Sequence, residues 1–273
     1  MDVLIREDET LEDLQLKGLR LLQKKQGFRF GMDSVLLADF ASVRERDTVV
    51  DFGTGTGILL LLLIGRNKGA RFTGLEIQES FAEMAGRTMA LNRLEDRVSI
   101  LQADAGKAEE LFGPCSVDRI ICNPPYGQPG SALRSPFDDR AIARNQEQDT
   151  LRQFFSAGFR ILRGRGTFSL VYPAPQMLYV MELLRACHLE PKRFQLVYPS
   201  VDRPANLVLV EAVKDAKPTL HPMRPLIIYE KNGDLTNELK SVYHIMDEYH
   251  SEGVDSSRTV FTRKGTALCE RET

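Results

Sequence analysis

Asn123-Pro124-Pro125-Tyr126 sets an amide side chain, a carbonyl fixed before a proline and an aromatic ring within four residues. The run before it, Ile120-Ile121-Cys122, reads as a buried strand, and the two prolines stop that strand because neither donates to a ladder. Gathered at a strand end, these groups suit a flat nitrogenous ring with an exocyclic amine. Two acceptors would meet its two N–H groups and a ring would cover its face. Alone, the tetrapeptide serves equally well as a strand terminator and turn. Its chemistry depends on what the neighbouring strand ends carry.

Those ends are equipped. Asp51-Phe52-Gly53-Thr54-Gly55-Thr56-Gly57 lies between a strand pattern and a helix pattern. Its glycines allow a tight turn and let a ligand lie against backbone near the helix N-terminus. The spacing is G-x-G-x-G, not the G-x-G-x-x-G of dinucleotide sites, which disfavours a pyrophosphate. Glu76 closes the second strand roughly twenty residues on, where open α/β folds hold ribose hydroxyls with an acidic side chain. Asp104 closes the third. Any one of these features is commonplace, since glycine turns abound and acidic residues at strand ends are usually solvated. All three in order on successive strand ends point to a ligand site.

Positioning these groups requires a sheet. Strand patterns at Thr48–Phe52, 71–76, 97–101, Val117–Cys122 and 166–172 alternate with helical patterns at 58–66, 80–92, 151–162 and 176–186. That alternation predicts a mostly parallel sheet covered on both faces. Strands at 193–198 and 207–213 have no room between them for a helix and must pair antiparallel. Upstream, 14–17 and 19–22 predict a small hairpin, with turn chemistry at Lys24-Lys25-Gln26-Gly27 and a returning strand at Phe28-Arg29-Phe30. A short helix over 35–40 follows, with Asp33 or Ser34 as its N-cap. Downstream, Leu226-Ile227-Ile228-Tyr229 reads as a strand and 236–249 as an amphipathic helix, before a polar tail. The expected divisions are 1–45, 46–235 and 236–273.

Composition narrows the partners. Lys plus Arg number 36 against 38 acidic residues, so a nucleic acid must be held by a local patch and not by overall charge. Cys115, Cys122, Cys187 and Cys269 show no paired spacing and read as free thiols of a reducing compartment. The four histidines show no ligand spacing, so no metal is expected. The N-terminus lacks a basic-then-apolar signal and 59–64 is too short to span a bilayer. A cytoplasmic protein without a membrane anchor is the expectation.

With these residues on the page, the chain resembles class I S-adenosylmethionine-dependent methyltransferases carrying an NPPY motif. The resemblance implies a Rossmann-like α/β fold, a mostly parallel seven-stranded sheet with a C-terminal antiparallel strand and helices on both faces. It implies Asp51, Gly53, Thr54, Gly55 and Gly57 around the methionine part of the cofactor, and Glu76 with Ile77 at the ribose. Asp104 with Ala105 would lie near the adenine, and Asp33 would fold over the methionine side. Asn123 would border the cofactor and also act in catalysis with Pro124 and Tyr126. Methyl transfer is an in-line displacement that needs a free lone pair on the acceptor nitrogen. The Asn123 oxygen and the Pro124 carbonyl, bonded to the two N–H groups, draw the amine toward tetrahedral geometry and return that lone pair from the ring. A flipped base would stack on Tyr126.

Over Leu14 to Asn237 the chain resembles bacterial tRNA adenine-N6 methyltransferases that act on the anticodon-adjacent adenine of valine tRNA. Gln26-Gly27-Phe28-Arg29-Phe30-Gly31-Met32-Asp33-Ser34, Asn206-Leu207-Val208-Leu209-Val210-Glu211 and Pro225-Leu226-Ile227-Ile228-Tyr229 carry that similarity. Asn145-Gln146 stands where the family often has His-Glu. The expected partner is RNA, in particular tRNA, through phosphate contacts in the basic segment Lys17, Arg20, Lys24, Lys25 and Arg29, with Arg134 and Arg144 in a long loop over 127–148 as further candidates. Arg160, Arg163 and Arg165 form a second basic segment. Three rivals stay open: N5 methylation of a glutamine amide in a protein such as a release factor, another nucleic-acid amino-methylation (DNA adenine or rRNA guanine-N2), and a module that binds cofactor without chemistry. Protein-glutamine enzymes usually carry a helical substrate domain ahead of the glycine motif, whereas the residues before Asp51 read here as hairpin and short helix.

Overall fold

The computed structural model describes residues 5–26, 31–124 and 138–243, with the backbone alone for 138–148. The first of these opens as a hairpin, β1 (Glu9–Asp13) antiparallel to β2 (Arg20–Lys24). Residues 14–17, expected as its first strand, are instead its loop. Gln15, Lys17 and Gly18 all have positive φ, and the Leu14 N–H donates to the Leu19 carbonyl to close the turn. Leu14 and Leu16 are apolar because they pin this loop onto the core, not because they alternate along a strand. The Phe28-Arg29-Phe30 strand lies outside the described residues.

Helix α1 (Met32–Phe40) starts earlier than its apolar run suggests and takes Gly31 as N-cap, so Asp33 and Ser34 lie inside the helix and neither caps it. The βα alternation then runs β3 (Thr48–Phe52), α2 (Ile58–Gly65), β4 (Arg71–Glu76), α3 (Glu79–Leu91), β5 (Val98–Gln102) and β6 (Val117–Cys122). It continues with α4 (Asp138–Ile161), β7 (Leu162–Pro173), α5 (Met177–Ala186), β8 (Leu189–Ser200) and β9 (Leu207–Lys214). Short β10 (His221–Pro222), β11 (Leu226–Tyr229) and α6 (Asn237–Val242) complete the described chain. The expected loop over 127–148 is already helical from Asp138, where Ala, Arg, Gln and Glu favour helix despite their polarity.

Apart from the β1–β2 hairpin, the strands form one sheet in the order β10-β8-β9-β7-β6-β3-β4-β5, with β11 also on β8. The mostly parallel sheet expected from the sequence is present. Its antiparallel member, β9, runs between β7 and β8 and does not close the edge. Parallel β10 and β11 extend the expected seven strands beyond β8. Alternate residues feed two cores: Val49, Ile121 and Val171 face one side, Val50, Ile120 and Leu170 the other. On the first side α2 is apolar all round and fully buried, since the sheet lies beneath it and α1 and the hairpin loop cover it. None of the described helices is long and apolar enough to cross a membrane.

Two buried charge networks fasten the outer pieces. Arg87 of α3 forms a two-pronged bond with Glu9 of β1 at 2.5 and 2.8 Å, and holds that carboxyl down to about 2. Glu211 of β9 would be raised by burial, but bonds from Arg193, the Ser42 N–H and the Ser169 hydroxyl hold it below the ordinary carboxylate range. The first network ties the hairpin to α3. The second ties the C-terminal end of α1 to the sheet.

Candidate active site

Winding reverses at β3, which pairs with β4 on one side and β6 on the other, and ligands of open α/β sheets bind at such a switch point. In register, Leu75, Phe52 and Cys122 stand side by side. One residue beyond them are Glu76, Gly53 and Asn123. Neighbouring strands lie about 5 Å apart, so a carboxylate, a glycine turn and an amide share one edge within about 10 Å.

The glycine turn is held mainly by backbone. Gly53, Gly55 and Gly57 have φ of 74°, 55° and 83°, values that disfavour residues with a Cβ. The Gly53 and Thr54 N–H groups both donate to the Leu75 carbonyl at 2.9 Å. Glu76 braces the turn further: its Oε2 accepts from Gly55 N–H and its Oε1 from Gln78 N–H, each at 2.9 Å. This bracing is a role that a motif reading misses. Each oxygen retains lone-pair capacity for a ligand hydroxyl. A Cβ at Gly53 or Gly55 would meet open space, whereas one at Gly57 would lie 2.5 Å from Met89 Cε. The first two glycines thus leave backbone open to a ligand, and the third serves packing.

Asp51 is fully buried at the foot of the turn. Thr54 Oγ1 donates to its Oδ2 at 2.7 Å, while its Oδ1 has no partner among the described residues. Burial pushes this carboxyl up to about 7, opposed by the Thr54 bond and reinforced by the charge of Glu76.

Next to Glu76, Ile77 is 64% exposed, an apolar surface on the same edge. Asp104 is the N-cap of a short 3-10 turn, its Oδ1 accepting from Gly106 N–H at 2.8 Å, so a local structural task already occupies part of this carboxylate. The Ala105 side chain is buried in the core, leaving its backbone as the group that can face a ligand.

At the acceptor end, β6 stops at Cys122 as its prolines require. Asn123 is half-buried and its Nδ2 donates to Ser34 Oγ of α1 at 3.2 Å. Pro124 is buried. Pro125 and Tyr126 lie outside the described residues. Burial, reinforced by Asp51, raises the Cys122 thiol well above its ordinary value, so it stays neutral and is no nucleophile. Asp33 sits in the first turn of α1; it and Tyr229 add to burial in raising the Tyr243 phenol, which places Asp33 near the chain beyond α6. Ser34 was expected only as a cap. Its contact with Asn123 joins residues 89 apart and has no local signal.

The basic segments divide. Lys24 is bonded to Asp8 at 2.6 Å, while Lys25 is exposed at the end of the hairpin. Arg163 pairs with Asp118 at 2.8 Å and Arg160 with Glu109, beside the starts of β6 and β7 on the edge opposite Asn123. That second segment is removed from the site. Arg29, Arg134 and the side chain of Arg144 lie outside the described residues. Among the described residues no His, Cys, Asp and Glu cluster suits a metal, and Cys115, Cys122 and Cys187 are free thiols.

Residues 29–186 match the family model described as Methyltransferase small domain. The chain is 29% identical over 242 residues to the tRNA1(Val) (adenine(37)-N6)-methyltransferase of Vibrio campbellii, covering 85% of this chain and 98% of that one. Among solved structures, the predicted O-methyltransferase Atu636 of Agrobacterium tumefaciens superposes with a TM-score of 0.61 at 23% identity, over 78% of this chain and 96% of that one. TYW2 of M. jannaschii in complex with AdoMet gives 0.53 at 15%, over 76% and 86%. Both share the fold.

Proposed function

The chain belongs to the methyltransferase small-domain family, and from that premise we propose that it moves a methyl group from S-adenosylmethionine to the exocyclic N6 amine of an adenine in tRNA. The Vibrio relative named for that reaction matches nearly end to end, which supports the substrate class. The observation that carries the reading is the placement of Asn123 in register beside the glycine turn at the switch point. An amide there is adjacent to bound cofactor. A strand terminator alone needs no such neighbour.

When bound, S-adenosylmethionine supplies an electrophilic methyl on a sulfonium. The residues present fit it: Asp51 Oδ1 offers a buried acceptor for the α-ammonium, Gly53 and Gly55 an open backbone surface in a turn shaped by Thr54 and Gly57, and Glu76 acceptors for the ribose hydroxyls. Ile77 would lie beside Glu76 against the ribose, with Asp104 and the Ala105 backbone near the adenine. Asp33 borders the methionine side. Asn123 Oδ1 and the Pro124 carbonyl would accept the two N–H groups of the target amine and Tyr126 would stack on the flipped base; as the methyl passes from sulfonium to nitrogen the amine would give up one proton to solvent. Neither a metal nor a strong general base is needed.

Residues 46–235 form the catalytic domain in this reading, 1–45 the cover that bears α1, and 236–273 the C-terminal appendage. The tRNA lies across the Asn123 edge, with Lys25 and, through their basic character, Lys24, Arg29, Arg134 and Arg144 as phosphate contacts; the site of action is the cytoplasm. The test is methyl transfer from labelled cofactor to unmodified total tRNA with nucleoside analysis. N6-methyladenosine is the expected product. Label in a protein fraction without N6-methyladenosine would overturn the reading in favour of a glutamine acceptor.

A further inference from the structure

A primary amide presents an oxygen on one side and an NH2 on the other, and half a turn about its last bond exchanges two groups of nearly equal size. An Asn123 facing an amine must show the oxygen, since the other face would set donor against donor. Ser34 supplies a choice between them. Its Oγ takes the hydrogen bond from Asn123 Nδ2 at 3.2 Å, the residue is only 2% exposed, and no described residue donates to Asn123 Oδ1. In that contact the Ser34 oxygen is the acceptor, and an oxygen that serves as acceptor there favours Nδ2 over Oδ1 beside it.

The helix behind Ser34 is firmly fixed. Lys68 Nζ donates to the carbonyls of Ala38, Asp39 and Ala41 at 2.9–3.0 Å, closing the C-terminal end of α1. Arg193 donates to the Phe40 carbonyl and lies 4.2 Å over the Phe40 ring. Both anchors come from outside α1, one after α2 and one on β8. The hydroxyl is therefore carried on a braced element and does not drift with a loop.

We infer that Ser34 is a positioning residue, holding the Asn123 amide with Nδ2 turned into the protein and Oδ1 turned to the acceptor amine. It acts through Asn123 and touches neither reactant. This rests on the reading of Asn123 as the acceptor clamp. Loss of the hydroxyl leaves both amide orientations populated, so the rate falls while the cofactor half is untouched.

The test compares the full chain with its Ser34→Ala, Ser34→Cys and Ser34→Thr variants, measuring kcat on unmodified tRNA at saturating cofactor, cofactor Kd by calorimetry and the melting temperature. Ser34→Ala and Ser34→Cys should lower kcat by roughly tenfold, the scale of one lost hydrogen bond, with cofactor Kd unchanged. Ser34→Thr, which keeps the hydroxyl, should restore most of the rate. The cysteine variant keeps the volume with a weak acceptor and carries the test if the alanine variant melts early. A wild-type chain that leaves tRNA unmethylated would sink the proposed function itself. An active wild type with an unchanged kcat in both variants, a loss of cofactor affinity matching the loss of rate, or no recovery with threonine would overturn the positioning role alone.

Discussion

The two halves of the site are held in different ways. The cofactor half is a web of bonds at 2.7–2.9 Å confined to residues 51–78, mostly backbone N–H groups on the Leu75 carbonyl and the Glu76 carboxylate. Among the described residues, the proposed acceptor half is held by one 3.2 Å side-chain bond, from Asn123 to a helix that precedes the whole large sheet in sequence. One half is rigid by local construction. The other is set by tertiary packing, and substitutions should separate them.

The largest effect is expected at the acceptor end. Asn123→Ala should reduce kcat by roughly a thousandfold, at the upper end for one preorganised transition-state contact, with cofactor Kd changed by no more than a few-fold. Equal losses in rate and cofactor affinity would show that the halves are not separable. The reverse pattern is expected from Glu76→Ala, which removes a brace of Gly55 together with the proposed ribose acceptors. Its cofactor Kd should rise by about a hundredfold, on the order of two charge-assisted hydrogen bonds, while single-turnover rate at saturation stays near wild type.

Asp51 gives a smaller effect with a defined sign. Its carboxyl is raised to about 7, so the folded chain keeps a proton that the unfolded chain releases near pH 4. That contribution to stability is full below about pH 4 and is lost as pH rises through about 7. Cofactor binding runs the other way, because a cationic group prefers the ionised form. Between pH 6 and 8 the cofactor Kd should fall by roughly tenfold, the change in ionised fraction for such a group, while the melting temperature of the ligand-free chain declines. Calorimetry and thermal melts of Asp51→Asn should show both trends flattened; a slope that persists in the variant would assign it to another group.

The smallest effect concerns RNA. Lys25→Glu should weaken tRNA binding a few-fold and reduce the steepness of its salt dependence by about one to two phosphate contacts, without altering cofactor Kd. Lys24→Glu also breaks a bond to Asp8, so Lys25 is the cleaner probe. Filter binding across a salt series reads this directly, and an unaltered slope removes the hairpin end from the RNA surface.

Local chemistry explains what could be read beforehand. The positive-φ positions at Gly53, Gly55 and Gly57, the stop at Pro124-Pro125 and the acidic end of β4 are each written in a few adjacent residues. Polar sequence misled at the start of α4, where helix formers read as loop, and apolar sequence misled at Leu14 and Leu16, which anchor a turn and do not build a strand. Asp104 was placed at the right edge, yet its capping of the next turn is a short-range bond that competes with any ligand role.

By itself, then, the order of residues determined the alternation of strands and helices, the glycine turn and the chemistry available at Asn123, because each depends on backbone conformation or side-chain type within one turn or strand. The tertiary structure alone decided that β6 lies beside β3, that β9 inserts between β7 and β8, and that Ser34 meets the Asn123 amide. Those are pairings between distant segments, selected by which faces can be buried together, and no local pattern encodes which of two buried surfaces will find the other.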